Sequence, residues 1–245
     1  MIWEDTIRND GFLFTNDRVG AWMLISQTGS FEKVRLSILL GMLLVVLTGC
    51  AGGLSQTFKQ SLSTVVSKDI NFKELEYYAK RSKSAYGSIQ DIRDTYPLVT
   101  RAVTLESIDV RYFIETDPVK REQTLSVRGT AARANVWEDV ESSLVPDSIL
   151  GIPLHRGFHR DAKAIFADAT PHLRKDFRLR ITGHSLGGAA AAILAAYYEK
   201  EGYTVERVVT FGQPKYTTEQ PSEHLLSVST RVVNKLDVVP MVPVY

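Results

Sequence analysis

The run Arg178-Leu-Arg-Ile-Thr-Gly-His-Ser-Leu-Gly-Gly-Ala190, continued by Ala-Ala-Ile-Leu-Ala-Ala, limits what this chain can fold into more than any other stretch. Phe177 to Ile181 alternates in the manner of a strand, and Ala189 to Ala196 is a row of small residues that lets a helix lie close on a sheet. Gly183 and Gly187 flank Ser185 and leave room for strand and helix to approach each other at a sharp turn. A strand, a tight turn and a close-packed helix call for a layered α/β architecture.

The residue at the turn adds chemistry to that constraint. A serine hydroxyl is a poor nucleophile unless a strained turn holds it where a base can take its proton and backbone N–H groups can meet the developing oxyanion. Serine between strand and helix in a Gly-x-Ser-x-Gly setting is the arrangement of a nucleophile elbow, so Ser185 is the candidate nucleophile. The five letters alone arise in roughly one chain of this length in a dozen. The strand before them and the helix after them carry the reading; the alternative is an unreactive Gly/Ser turn.

At 245 residues, with 44% hydrophobic and 23% charged, the chain suffices for one sizeable core plus a targeting segment. A formal net charge of +1, with basic residues scattered among acids, gives no electrostatic case for nucleic acid. Its histidines and acids follow no metal-ligand spacing and its glycines no dinucleotide pattern, so no cofactor or metal is expected.

Cys50 is the single cysteine, which excludes an intramolecular disulfide. It ends the segment Lys33 to Cys50: two positive charges, an apolar stretch from Leu36 to Leu47 that is short for a membrane span, and a small-residue site, the layout of an export signal. A buried free thiol and an uncleaved amino-terminal anchor are the other readings. Leu47-Thr48-Gly49-Cys50 resembles a bacterial lipobox. That resemblance implies a lipidated Cys50, attachment to the bacterial cell envelope and, with Ala51 next in the chain, the outer membrane. The charged residues before Met23 suit an export signal poorly. The expected division is therefore 1–22 as an over-extended start, 23–49 as the lipoprotein signal peptide, 50–70 as lipidated Cys and Gly/Ser/Gln tether, and 71–245 as the folded domain.

Within that domain Asn71 is placed to cap a helix whose apolar positions run from Phe72 through Leu75, Tyr78, Ala79 and Tyr86. Val103 to Thr116 reads as a strand, Asp117-Pro118 as a turn and Gln123 to Arg128 as the next strand. Phe158, Ala162, Ile165, Phe166, Ala169 and Leu173 make a second amphipathic helix, and Thr204 to Phe211 and Thr230 to Asn234 read as later strands. The alternation predicts an α/β sandwich with a mostly parallel central sheet.

Arg128-Gly-Thr130 with Asn135 and Asp139, Leu154-His-Arg-Gly-Phe158, Phe211-Gly-Gln-Pro214 and Arg231 to Pro240 join the elbow in an order and spacing that resemble the class 3 lipases, a fungal-lipase-like group of α/β-hydrolases. The resemblance runs from about Phe72 to the last residue. It implies an α/β-hydrolase three-layer sandwich, Ser185 as nucleophile, the backbone N–H of Leu186 and the backbone and hydroxyl of Thr130 as oxyanion donors, and Asp139 as the acid that orients Thr130. It places a lid between Val136 and about Pro146. A solvated helix charge is the other reading of Asp139, since Trp137 stands one position away from the family's tryptophan.

Asp237 is the sole aspartate after Ser185 and is the candidate acid of a triad, with a purely structural aspartate as the alternative. No histidine follows it, although the α/β-hydrolase order is serine, acid, histidine. His155, His159, His172, His184 and His224 all precede Asp237, and none stands where that order puts the base. The economical expectation is a fold incomplete at its C-terminus and a weak or inactive hydrolase of lipid carboxylic esters. A non-catalytic envelope lipoprotein that retains the scaffold and binds lipid is the alternative, with acyl transfer as a third reading. The partners implied are a lipid or ester substrate and, through the anchor, a membrane.

Overall fold

A computed structural model describes residues 22–25, 71–129 and 143–234. Helix α1, Phe72–Ser84, begins where Asn71 accepts a hydrogen bond from the Glu74 backbone N–H at 3.1 Å, as its sequence led us to expect. Helix α2, Ile89–Thr95, has no periodic stripe long enough to show in the sequence. A reciprocal capping box between Ser88 and Asp91 starts it, and Ile92 is its buried anchor.

The run expected as one strand from Val103 to Thr116 is a hairpin of two, β2 (Val99–Leu105) and β3 (Val110–Asp117). Ile108 bonds back to the Leu105 carbonyl and Asp109 adopts φ +48, so the reversal is made without a glycine to announce it. The chain continues through β4 (Glu122–Val127), a short hairpin of β5 (Leu144–Pro146) and β6 (Pro153–His155), helix α3 (Arg156–Ala169) and a 3-10 turn, Thr170–His172. Then follow β7 (Arg178–His184), α4 (Leu186–Lys200), β8 (Thr204–Phe211), α5 (Glu223–Val228) and β9 (Ser229–Asn234).

The main sheet has the order β1-β9-β8-β7-β4-β3-β2, with β1 formed by Trp22–Ile25. Strands β4, β7, β8 and β9 lie parallel to one another, β3 runs against β4, β2 runs against β3, and β1 runs against β9. Most strands thus point one way, as expected. Strand β1 falls across the boundary placed at Met23; the rest of the proposed leader, the signal segment, Cys50 and the tether lie outside the described residues.

The pleat of β7 divides the layers. Leu179 and Ile181 enter a large core with α3 and α4, whose fully buried members include Tyr112, Ile114, Leu125, Phe158, Ile193 and Leu194. The opposite side of the sheet carries α1 over β7 and β8, with Leu75 and Tyr78 against Val209, and α2 against β2, with Ile92 against Phe113. Helix α4 is apolar almost all round because it is buried between β7, β8 and α3. Among the described residues no helix is long and apolar enough to cross a membrane.

Candidate active site

Strand β7 stops at His184, α4 starts at Leu186, and Ser185 alone makes the turn, at φ +57 and ψ −129. Such a conformation in a residue with a Cβ costs on the order of 1–3 kcal/mol and persists only where its surroundings fix it. Here the Ser185 N–H donates to the Phe211 carbonyl at 2.8 Å, and the Ser185 carbonyl accepts from Gly188 at 2.8 Å and Ala189 at 3.3 Å. β7 is paired on both sides, to β4 and to β8.

Close backbone approach completes the restraint. A Cβ on Gly183 would collide with the carbonyl of Gly187, and one on Gly187 would stand 2.6 Å from the carbonyl oxygen of Val127. Ser185 occupies the N-cap position of α4, yet its hydroxyl makes no capping bond and has no hydrogen-bond partner among the described residues. The hydroxyl is therefore not consumed in holding the fold. Leu186 supplies the first N–H of a 15-residue helix, a group with no intrahelical acceptor and with the positive end of the helix dipole behind it.

The parallel strands end together around this turn. Val127 of β4 is level with Gly183 of β7, and His184 with Phe211 of β8, which is level with Val232 of β9. Ligand sites of open α/β sheets lie at this carboxyl edge. Gly129, two residues beyond β4, sits directly on the elbow: a Cβ there would stand 2.7 Å from the His184 carbonyl oxygen and 3.3 Å from the Ser185 Cβ. Thr130, Asp139 and Asp237, together with Cys50, lie outside the described residues. Of the stretch expected as a lid, Leu144–Pro146 is described and pairs antiparallel with Pro153–His155.

The loop after β8 packs on the first turn of α4, where a Cβ on Gly188 would stand 3.2 Å from the Gln213 Cβ. Thr210 Oγ1 donates to Gln213 Oε1 at 2.7 Å, the Gln213 carbonyl accepts from the Arg231 guanidinium, and Gly212 N–H bonds Val232 at 2.8 Å. This gives the Phe211-Gly-Gln-Pro214 motif a mechanical purpose.

All five histidines are described, and none hydrogen-bonds Ser185. His184 Nδ1 is 3.0 Å from the Tyr86 hydroxyl. His159 Nε2 bonds Asp147 at 3.0 Å, His224 Nδ1 bonds Glu199 at 2.8 Å, and His172 ends the 3-10 turn. His155 is buried, stacks on Phe158 with centroids 4.1 Å apart, and has no hydrogen-bond partner for either ring nitrogen among the described residues. Burial pushes its pKa below the usual imidazole value and so favours the neutral ring.

Two clusters escaped the sequence reading. Asp147 is fully buried and accepts from Ile149 and Leu150 backbone N–H groups, from His159 at 3.0 Å and from the Tyr197 hydroxyl at 2.7 Å. Burial alone would raise its pKa; the hydrogen bonds from Leu150, Tyr197 and His159 outweigh it and hold the carboxyl below its ordinary value. This knot joins the β5–β6 connection to α3 and α4. On the other side of β7, Tyr78 lies beside Arg180, Ser82 Oγ is 2.9 Å from Thr182 Oγ1, and Tyr86 meets His184. Steps of four residues from Tyr78 and Ser82 of α1 to Tyr86, two residues past its end, thus match steps of two along β7.

Comparison with known proteins agrees with this fold. Residues 124–245 match the model of the lipase (class 3) family. The secreted mono- and diacylglycerol lipase 1 of Fusarium solani is 25% identical over 174 residues, 62% of this chain and 51% of that protein. Lipase ZK262.3 of Caenorhabditis elegans is 30% identical over 143 residues, 54% of this chain and 40% of that protein. The chain therefore spans about half the length, or less, of these relatives. Among solved structures, the lipase from Rhizopus microsporus var. chinensis superposes with TM-score 0.60 at 23% identity, covering 70% of this chain and 69% of its own. A triacylglycerol lipase whose catalytic centre is described as a serine protease triad gives 0.58 at 21%, covering 70% and 74%. The fold is that of the α/β-hydrolase lipases, and the segment from residue 124 to 245 is similar in sequence to the class 3 lipases.

Proposed function

We propose that this protein acts on carboxylic esters of lipids through an acyl-enzyme on Ser185. The observation that carries the reading is Ser185 itself, at φ +57 with a hydroxyl that serves neither helix cap nor core. Its oxygen attacks the ester carbonyl, the oxyanion is received by the N–H of Leu186 and by Thr130, and Asp139 orients Thr130. Asp237 is the acid of the triad. The alcohol leaves with the proton lost by Ser185, and water then releases the fatty acid. Acylglycerols are the substrate class to test, because the Fusarium relative is named for mono- and diacylglycerols and a structural relative for triacylglycerols. The reading also includes lipidation at Cys50 and attachment to the outer membrane of a bacterial envelope.

No histidine hydrogen-bonds Ser185, so turnover by these 245 residues is expected to be weak. That same observation favours a second reading, a lipid-binding scaffold without catalysis. A fluorophosphonate probe with added imidazole as exogenous base separates the two. Ester hydrolysis chemistry predicts labelling at Ser185 that accelerates with imidazole and vanishes in Ser185→Ala. No labelling at any imidazole concentration leaves the lipid-binding scaffold.

A further inference from the structure

The elbow fixes Ser185, but oxyanion chemistry needs a second strand end held at a set distance from it. Oxyanion donors work within about 2.7–3.1 Å of the reacting oxygen, and a misplacement of about 1 Å can cost on the order of 100-fold. What sets the gap between β4 and the elbow is visible on the α1 side of the sheet. Tyr86 follows the C-terminal end of α1, its N–H bonded to the Lys83 carbonyl at 3.0 Å. Its ring meets His184 edge-on with centroids 5.8 Å apart, and its hydroxyl lies 3.0 Å from His184 Nδ1. A Cβ on Gly129 would collide with the same hydroxyl oxygen, so that oxygen rests against the Gly129 backbone.

Tyr86 is itself held from behind. The carbonyl of the next residue, Gly87, accepts from Arg111 Nη1, and the Arg111 carbonyl accepts the N–H of Arg128 at 2.9 Å, one residue before Gly129. Tyr86 also borders a groove of about 440 Å³, lined in part by Ser84, Gly87 and Ile92, so its far side is not packed solid. The hydroxyl is therefore a spacer between the His184 ring and the Gly129 backbone.

We propose that Tyr86 is a positioning residue for the chemistry at Ser185: its hydroxyl, placed between His184 and Gly129, sets the spacing between the elbow and the β4 end. The inference rests on the ester-hydrolysis reading above. Removing the hydroxyl opens a gap beside Gly129 and lets the β4 end drift from Ser185, without touching the nucleophile or Leu186.

Two measurements on Tyr86→Phe in the full chain test it. In imidazole-assisted fluorophosphonate labelling, the maximal rate of Ser185 modification is expected to fall roughly 10- to 100-fold, with the probe's half-saturating concentration and the melting temperature unchanged. His184→Gln, which keeps a polar side chain toward Tyr86, is expected to retain more of that rate than Tyr86→Phe. An unchanged maximal rate in Tyr86→Phe, or a loss accounted for by probe binding or unfolding, overturns the proposal. The backbone amide resonance of Gly129 gives a readout independent of reactivity: it must shift in Tyr86→Phe, and an unmoved resonance overturns the proposal even if the wild type is never labelled. Failure of the wild type to label, with Gly129 still shifting, instead removes the hydrolase reading and keeps Tyr86 as the spacer.

Discussion

On the side of β7 that faces α4, Leu179, Ile181 and Gly183 meet a helix of alanines and glycines so closely that no Cβ fits at Gly183 or Gly187. On the side that faces α1, Arg180, Thr182 and His184 meet Tyr78, Ser82 and Tyr86 through polar groups. The first contact is backbone against backbone and leaves no adjustable part. The second is made of side-chain ends, each able to be altered by one atom. A strained serine needs both: a rigid wall to hold its turn, and a tunable wall to set what approaches it.

The contrast predicts a hierarchy. Gly187→Ala presses a methyl onto the Val127 carbonyl, which belongs to a central strand and cannot yield, so the loss should exceed about 3 kcal/mol in denaturant titration. An alanine there that unfolds no earlier than wild type breaks the idea of a rigid wall. On the polar side the effects should be smaller and unequal. The Thr182 hydroxyl proton is spent on the Val209 carbonyl at 2.7 Å, so Ser82 is the donor in their bond. Thr182→Val strands both Ser82 and Val209 and should cost about 2–3 kcal/mol, against about 1 kcal/mol for Ser82→Ala. Equal costs would contradict that direction of donation.

Asp147 tests whether a polar knot on the α4 side behaves like the polar wall opposite. Its pKa is depressed in the folded protein, so its contribution is present above the unfolded value of about 3.9 and is lost as pH falls through the folded value. Asp147→Asn should cost about 2 kcal/mol at neutral pH and flatten the stability profile below about pH 4. A mutant curve that still parallels wild type in that range would assign the acid sensitivity elsewhere. The smallest effect is a gain. Ser185→Gly relieves the positive φ and should raise stability by about 1 kcal/mol while removing the nucleophile, whereas Ser185→Ala removes it and keeps the strain. No difference in melting temperature between the two would mean that the turn is unstrained.

The rigid wall is also the part that could be read from the sequence. Gly183, Ser185, Gly187 and the alanines after them stand next to one another in the chain, and a run of such small residues signals backbones in close approach. The Asn71 cap and the faces of α1 and α3 were legible because they too are set by neighbours a few positions away. The hairpin turn at Asp109 was not, because a left-handed aspartate leaves the strand alternation on either side unbroken. The polar wall was invisible because its partners are 98 and 100 residues apart, and the Asp147 knot because Tyr197 is 50 residues away. Of the candidate site, Ser185 and Leu186 are described; Thr130, Asp139, Asp237 and Cys50 rest on motif resemblance, and no local rule of hydrophobic spacing bears on their roles.

The matched stepping of α1 and β7 has a further consequence for how this protein can vary. Four helical residues advance about 6.0 Å and two strand residues about 6.6 Å, so the two scales slip by only ~0.6 Å per rung and stay in register over three rungs. A single residue inserted into or deleted from α1 between Tyr78 and Ser84 would instead turn the end of the helix by about 100° about its axis and carry Tyr86, two residues beyond it, off His184. The length of that segment is thus locked by arithmetic, while only its outward-facing side chains stay open to substitution. Lineages of this chain should change letters at the outward positions freely and never change count.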